Sequence, residues 1–291
     1  MEIKNTDLPG LYQAADTASL TGQKIYFTSL MSYLLLLIIA ATVSFYFPTS
    51  KGGALTSAAL FLLTLGVLIG LRVKRPDDTW YNGRAVAESV KTRAWRWMMQ
   101  AEPYFDTESL ERVSKEFIND LKAILKQNRS LSNAISTEAS INDPITEKMR
   151  FVRSLPIEER LETYVNERVK NQATWYSQKA IFNKKKAQLW FWVSVFLHSA
   201  AILFLLIRID DPAFKLPIEI VATAAGAVLT WLQAKKHNEL HSSYSLAAHE
   251  IVLIKGEALA IKTEKELSEY ILDSEAAFSR EHTQWVARKN D

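Results

Sequence analysis

Basic, acidic and aromatic side chains recur at helical spacing in one stretch of the chain, and such a set could recognise a phosphate-bearing ligand. The set consists of Trp80, Tyr81, Arg84, Glu88, Lys91, Trp95 and Arg96. A guanidinium binds phosphate oxygens with two parallel hydrogen bonds, and an indole ring can stack on a base. The stretch therefore predicts a cytosolic site for a nucleotide or a partner protein. The alternative is a solvated helix face, on which Glu88 pairs with Arg84 and Lys91 and the tryptophans pack against neighbouring helices.

A second set of polar and small residues lies inside an apolar stretch, at spacings of four, three, four and three residues. It consists of Glu219, Thr223, Gly226, Thr230 and Gln233. Ser194 and His198 form a shorter polar edge on the preceding apolar stretch. Ionisable groups within membrane-spanning helices usually face a bundle interior or an aqueous path, because exposure to lipid is costly. We expect this polar stripe either to line a pore or to pack two helices together.

Two histidines, His237 and His241, lie four residues apart and could hold a metal ion from one helical face. The sequence offers no third ligand beside them, so we predict neither a metal site nor a cofactor. The sequence also lacks a phosphate-binding loop, a dinucleotide-binding glycine motif, a nucleophile elbow and paired carboxylates in an apolar setting. We therefore expect that the protein is not an enzyme.

The elements that must position these residues are long apolar helices. Residues 26–47 contain no charge, and a helix of this length extends about 33 Å, which is enough to cross a bilayer core. Three further apolar stretches cover residues 54–71, 187–207 and 217–234. The predicted fold class is an all-α membrane protein with four transmembrane helices in two hairpins, and with long cytosolic helices that form a bundle.

Small residues in the second apolar stretch predict close helix packing. Gly66 and Gly70 are four residues apart, and Ala59 lies on the same stripe. Such residues let two helix backbones approach each other, either within one chain or between chains. We leave both arrangements open.

The polar segments predict amphipathic helices that repeat in the same order in both halves. A short lead-in helix follows Pro9, and others cover residues 80–99 and 110–125 and begin again after Pro156. A long C-terminal helix is predicted from Lys235 to about Asn290. Its buried stripe would be Ala247, Ile251, Ile254, Ala258 and Ile261. The predicted domains are a two-span unit with a cytosolic helix (1–103), a cytosolic helix with a polar linker (104–146) and a second two-span unit with the long C-terminal helix (147–291).

Charge distribution predicts the orientation of these helices. The net charge is +3 with no cysteine, which is too mild for a nucleic-acid polymer as partner and suits a reducing compartment. Nine basic residues flank the ends of the apolar stretches that adjoin the long polar segments, against three in the two hairpins. The positive-inside rule then places both termini in the cytoplasm of a multi-pass inner-membrane protein. The first residues do not have the pattern of a cleaved signal peptide.

Short aromatic and basic patterns beside the apolar stretches carry a family resemblance. The first pattern comprises Trp80-Tyr81, Arg84-Ala85, Ala87-Glu88-Ser89, Lys91, Trp95-Arg96 and Pro103-Tyr104. The second comprises Met149-Arg150, Leu155-Pro156, Glu159-Arg160, Tyr164, Arg168, Gln172, Trp175-Tyr176, Lys179-Ala180 and Asn183, and the third runs from Ser279 to Trp285. Together they resemble the SLATT family, the SLOG- and SMODS-associating two-transmembrane effectors of bacteria, in a double form with four spans.

The resemblance implies a role in bacterial conflict systems against phage or plasmids, beside synthases or sensors of nucleotide signals. It implies a pore-forming effector that permeabilises the inner membrane when a nucleotide second messenger or a cytosolic sensor protein engages it. Four helices of one chain can close around themselves without a conducting hole, so we expect a homo-oligomer in the lipid bilayer. The alternatives are a non-conducting scaffold that anchors a cytosolic sensor or enzyme, and a small transporter.

Overall fold

The computed structural model describes residues 2–105, 109–131, 134–135, 142–211 and 213–287, and for residues 130 and 280–287 it describes the backbone alone. These ranges are predominantly helical and contain no strand, so the predicted all-α class is confirmed. The helices are α1 (Gly10–Tyr46), α2 (Lys51–Lys74), α3 (Pro76–Met98), α4 (Leu110–Gln127), α5 (Glu147–Arg153), α6 (Ile157–Tyr164), α7 (Lys170–Asp210), α8 (Ile218–Lys235), α9 (His237–Glu257) and α10 (Glu264–Ala287). Parts of the predicted linker, and the side chains of most of the C-terminal Ser279–Trp285 pattern, lie outside the described residues.

The first helix contains two elements that the sequence predicts as separate. The lead-in segment after Pro9 and the first apolar stretch form one uninterrupted helix of 37 residues. No proline lies between Gly10 and Pro48, so nothing in the sequence removes a backbone hydrogen bond along this length. The helix ends at Tyr46, two residues before Pro48.

A tight hairpin connects α1 to α2. Ser50 caps α2, because its hydroxyl accepts a hydrogen bond from the Gly53 backbone N–H at 3.3 Å. A Cβ atom at Gly53 would lie 2.5 Å from Phe47 Cβ, so only glycine allows the chain to turn this closely. Ser44 and Ser57 then join the two helices through their hydroxyls, 3.1 Å apart.

A five-residue π-helical turn, Val165–Val169, lies between α6 and α7. Such turns accommodate an extra residue and often mark functional positions. The three segments run on without a break from Ile157 to Asp210, so the predicted amphipathic helix continues directly into the third apolar stretch.

The long C-terminal helix is not a single helix. After α9 and a short 3-10 turn (Ala258–Ala260) the chain leaves the helical conformation, and α10 begins at Glu264. The reason is local: the Glu266 carboxylate accepts the Thr263 backbone N–H at 3.0 Å, while the Thr263 hydroxyl accepts the Glu266 N–H at 3.3 Å. This reciprocal capping arrangement starts a new helix at Thr263. All members of the predicted stripe do pack on the core: Ala247, Ile251, Ile254, Ala258 and Ile261.

The chain divides into two compact units. Unit 1 comprises Met1–Gln23, Asp77–Lys179 and Ser243–Asp291, and unit 2 comprises Lys24–Pro76 and Ala180–Ser242. The core of unit 1 is rich in aromatic rings, with Trp95 and Tyr164 packed edge to face at 5.5 Å between centroids. Aromatic side chains bury large areas, so this core supplies much of the stability of the unit.

Unit 2 turns its apolar side chains outward. Phe61, Leu62, Trp192 and Phe196 are all exposed in the single chain, as expected of side chains that contact lipid. Among the described residues, three stretches of helix are long and apolar enough to cross a membrane: Gly10–Tyr46, Lys51–Met98 and Ile157–Asp210. Helix α8, where we predict the fourth span, has the length of 18 residues but is not among these three, since Glu219 in its first turn and Lys235 in its last make it less apolar.

Candidate functional site

A fully buried ion pair lies in the core of unit 1. Arg168 Nε and Nη2 donate hydrogen bonds of 2.9 and 2.8 Å to the two carboxylate oxygens of Glu275. The two side chains are 1% and 0% exposed. Removing two charges from water costs several kcal/mol for each ion, and the two-pronged geometry offsets this cost.

Two hydroxyl groups complete the environment of the Glu275 carboxylate. Tyr164 donates to one oxygen at 3.0 Å, and Thr92 donates to the other at 2.9 Å. Burial, and next the negative charge of Glu275, raise the pKa of Tyr164 well above its usual value, so this phenol keeps its proton. Burial opposes the charge of Arg168, but the field and hydrogen bonds of Glu275 outweigh it and raise the pKa of Arg168.

The π-helical turn places Arg168 in this environment. Tyr164, Arg168 and Val169 are all buried, so the segment turns three side chains inward within six residues. The guanidinium carbon of Arg168 also lies 5.0 Å from the ring centroid of Phe278, one turn beyond Glu275 on α10. A cation over an aromatic face is attracted by the ring quadrupole.

The predicted stripe on α3 lies next to this ion pair. Arg84 Nη2 is 2.6 Å from Glu88 Oε1, and Arg84 Nη1 is 3.7 Å from Asp16 Oδ1 on α1. Burial acts against the charge of Arg84, but Glu88 and Asp16 together raise the pKa of its guanidinium. The pKa of the Asp16 carboxyl is raised, chiefly by burial. The Arg84–Glu88 pair of the solvated-face alternative is thus present, in partly buried surroundings.

Lys91 is the cation of this region whose pKa falls furthest below its usual value. Its ammonium lies 5.6 Å from the ring centroid of Tyr12. Burial, and next the positive charge of Arg168, lower the pKa of Lys91 to about 8. The negative charge of Glu88 raises the pKa of Lys91, but by less than burial and Arg168 lower it. Lys91 is therefore close to losing its proton at the upper end of the physiological range.

The aromatic members of the stripe belong to the helix packing of unit 1. Trp80 and Trp95 are buried, and Trp80 stacks on Tyr81 with 4.7 Å between ring centroids. The Ser19 hydroxyl of α1 donates to the Trp80 carbonyl at 3.0 Å. Burial, and then Arg93, lower the pKa of Arg96, the last member of the stripe. The stripe thus combines an ionic half around Arg84 with a packed aromatic half.

We use the term buried charge cluster for this set of side chains from α1, α3, the end of α6, the π-helical turn and α10. Its members are Tyr12, Asp16, Arg84, Glu88, Lys91, Thr92, Tyr164, Arg168 and Glu275. The predicted stripe on α3 contains three of them: Arg84, Glu88 and Lys91. The family patterns include Tyr164 and Arg168, but the sequence assigns no function to these two residues. Asp16 and Glu275 are missed altogether. One usable signal is the position of Glu275 itself, a carboxylate four residues after the apolar Ile271 and three before Phe278, on the apolar side of a helix.

The polar stripe of α8 faces away from the packed side of its helix. Glu219, Gly226, Thr230 and Gln233 are exposed and Thr223 is half-buried, whereas Ile218, Ala225 and Ala227 are buried. The hydroxyls of Thr223 and Thr230 donate to the carbonyls of Glu219 and Gly226, at 2.7 and 2.9 Å. Glu219 Oε1 lies 3.7 Å from Arg208 Nη1. The stripe is thus left uncovered in one chain.

The remaining predicted residues of unit 2 are also uncovered. His198 Nδ1 lies 2.7 Å from the Ser194 carbonyl on its own helix, and the His198 side chain is exposed. A Cβ atom at Gly66 or Gly70 would meet nothing within 4 Å, and Ala59 is exposed. Within the described ranges, no other helix packs closely against these small residues.

The two histidines at the start of α9 have partners on α7. His237 Nδ1 lies 2.7 Å from Asn183 Oδ1, and His241 Nδ1 lies 3.1 Å from the Ala180 carbonyl. Among the described residues, no set of three side chains suited to a metal includes them.

Two family models match the chain in tandem. Residues 9–161 match the model described as SMODS and SLOG-associating 2TM effector domain 3. Residues 164–285 match the one described as SMODS and SLOG-associating 2TM effector domain 1. No curated protein and no solved structure matches the chain. The buried charge cluster takes Asp16, Arg84 and Thr92 from the first match and Arg168 and Glu275 from the second, so it joins the two.

Proposed function

Since the chain belongs to the family of SMODS- and SLOG-associating two-transmembrane effector domains and carries two of these domains, we propose that it permeabilises the bacterial inner membrane. In this proposal several copies assemble in the bilayer, and a cytosolic signal of a conflict system opens a path between them. The protein performs no enzymatic reaction. The apolar helices and the family membership support the membrane location, and the mechanism is our inference.

The observation that carries the proposal is the uncovered polar stripe of α8. Within one chain Glu219, Thr230 and Gln233 face outward, and nothing lies within 4 Å of a Cβ atom at Gly226. A polar face turned toward lipid along a whole span would be costly, even though its carboxylate and its amide lie at the two ends. Assembly of several chains around the stripe removes this cost, and the same assembly encloses a polar path.

Helix α8 is the fourth span in this arrangement. Its 18 residues extend about 27 Å, slightly less than a typical hydrocarbon core, and a short span is accommodated by local thinning of the bilayer. The excess of basic residues places both termini and the central segment in the cytoplasm. The stripe would then begin at the outer surface with Glu219 and end at the cytoplasmic surface with Gln233.

The signal enters through the face of α3 that carries Arg84. A nucleotide second messenger would compete with Glu88 and Asp16 for the guanidinium, and a sensor protein would offer carboxylates for the same purpose. Because Arg84 shares its surroundings with Lys91 and Arg168, the change in charge reaches the part of the core where the two family domains meet. The signal is thus read by both domains together.

Ion flux into liposomes that contain the full chain tests the proposal. Thr223→Val keeps the shape of the side chain and removes a hydroxyl from the stripe, so conductance should fall while the oligomer size stays the same. Glu219→Gln should weaken the preference for cations, because a ring of carboxylates near a pore mouth favours them. Gly226→Leu should abolish flux by filling the path.

Thr56→Val is the matched control for the hydroxyl. Thr56 is exposed on α2 and donates to the Gly52 carbonyl at 2.9 Å, in the same manner as the threonines of α8. Unchanged flux in Thr223→Val and Gly226→Leu would refute a path along α8. Wild-type protein that conducts nothing with its partner and trigger present would instead act as a scaffold.

A further inference from the structure

An open groove of about 320 Å³ lies on unit 1, between the α6 segment and the residues that connect α9 to α10. Its lining is apolar on both sides, with Leu161 and Val165 on the first wall and Ala258 and Leu259 on the second. None of these residues belongs to the buried charge cluster. The groove is therefore a second feature of unit 1, separate from the buried charge cluster.

The two walls carry opposite charges. Glu158 and Glu162 lie one helical turn apart on the first wall, and Lys255 and Lys262 lie on the second. All four residues are exposed. No ion pair joins the two walls in the part of the chain that the structure describes. An acidic edge and a basic edge thus run along an apolar floor.

A large apolar side chain stands at the rim of the groove. Leu259 is 91% exposed, the highest value among the large apolar residues of the described chain. Leu259 belongs to the 3-10 turn Ala258–Ala260, and Val252, near the end of α9, is 59% exposed. A fully exposed leucine that lines a groove marks an interaction surface more than ordinary solvent exposure does.

We propose that this groove is the docking surface for a second copy of the chain, related to the first by a two-fold axis. In such an interface the same patch meets itself. The acidic wall of each copy then faces the basic wall of the other, and each Leu259 enters the partner's groove. A partner of a single charge would be repelled by one wall, and an anionic lipid surface would be repelled by Glu158 and Glu162. The inference rests on the proposed assembly of several chains and assigns one of its contacts.

Cross-linking of introduced cysteines tests the placement of Leu259. The chain contains no cysteine, so in a mixture of Leu259→Cys chains with Leu161→Cys chains a disulfide between positions 259 and 161 must join two copies. We expect the full chain in nanodiscs or detergent to form this disulfide rapidly under mild oxidation. Leu125→Cys, mixed with Leu161→Cys in the same way, is the matched control, an exposed leucine on α4 that should cross-link only slowly. Equal rates for both mixtures would overturn the proposal.

Charge reversal tests the pairing of the walls. Glu158→Lys/Glu162→Lys and Lys255→Glu/Lys262→Glu each leave two walls of like charge, so each should weaken self-association roughly tenfold or more. A mixture of the two variants restores opposite charges at both contacts and should associate like the wild type. Mass measurement by light scattering reads out all three samples. Unchanged masses, or a mixture that fails to associate, would overturn the proposal and leave the groove to a partner of different sequence.

The outcomes separate this proposal from the proposed function. If Leu259→Cys cross-links to Leu161→Cys and the mixed charge variants associate while no sample conducts ions, the interface stands and the pore is refuted. If flux persists while neither test shows pairing at the groove, the pore stands and the interface is refuted.

Discussion

Removal of one partner from the buried Arg168–Glu275 pair should destabilise unit 1 far more than removal of both. Arg168→Met deletes two of the four hydrogen bonds that the Glu275 carboxylate accepts. The negative charge of Glu275 is then stabilised only by the hydroxyls of Thr92 and Tyr164. The loss of one member of a buried pair costs about 3–5 kcal/mol, because the other charge stays buried without compensation. Glu275→Gln should cost a similar amount by leaving Arg168 charged.

The double variant Arg168→Met/Glu275→Gln removes both charges at once. The amide can still accept a hydrogen bond from Tyr164 or Thr92, so few polar groups lose their partner. Moreover, Arg168 Nη1 has no hydrogen-bond partner among the described residues. The cost of removing this nitrogen from water is therefore not offset in the native pair. We expect the double variant to be more stable than either single variant, and thus at least about 3 kcal/mol more stable than the sum of the single effects predicts.

Urea unfolding of the full chain in detergent, combined with hydrogen exchange of α10 and the π-helical turn, measures this coupling. The control is a second cycle on the same helix, with Lys265→Ala and Glu269→Ala. This exposed pair has its charged atoms 3.9 Å apart and should show little coupling. If the buried pair couples no more strongly than the exposed pair, the charges of Arg168 and Glu275 do not compensate each other in the core.

Three further predictions concern pH, packing and orientation. Burial lowers the pKa of Lys91 from 10.5 to about 8, so above pH 8 the unfolded chain binds more protons than the folded chain. The free energy of unfolding should therefore rise between pH 8 and about pH 10, by at most about 3 kcal/mol. Urea unfolding of the Lys91→Met variant should lack this rise. Gly83→Ala should lower the melting temperature, because a Cβ there would lie 2.9 Å from a backbone nitrogen of α1, whereas Gly66→Ala, with open space around it, should not. Cysteines introduced at Gly52 and Asn128 and labelled from outside intact cells should react at position 52 alone, and labelling only at position 128 would reverse the proposed orientation.

The sequence predicts the long helices well, because apolar runs and helical periodicity are local properties. The break before α10 has a local signal too, since Thr263 and Glu266 have the spacing of a capping box, but the periodic stripe through Ile261 masks it. The π-helical turn leaves no such trace, because Val165 and Val169 continue the helical pattern on either side of Arg168.

The candidate site is only half visible in the sequence, for a different reason. Arg84, Glu88 and Lys91 share one helix, so their spacing reveals them. Glu275, by contrast, is 107 residues away from Arg168, and no local pattern links the two. The outward direction of the α8 stripe was equally beyond prediction, because periodicity shows that one face is polar but not which neighbours cover it.

The distance along the chain between Arg168 and Glu275 has a consequence for biosynthesis. All four apolar stretches precede Glu275, so the translocon receives every candidate span before α10 leaves the ribosome. At about 5–20 residues per second, Arg168 emerges roughly 5–20 s before its counter-ion. During this interval Arg168 has no counter-ion, so the core of unit 1 cannot complete its packing. Completion of the core thus follows membrane insertion, and a ribosome that stalls before α10 would leave inserted helices in a chain whose unit 1 is unfinished.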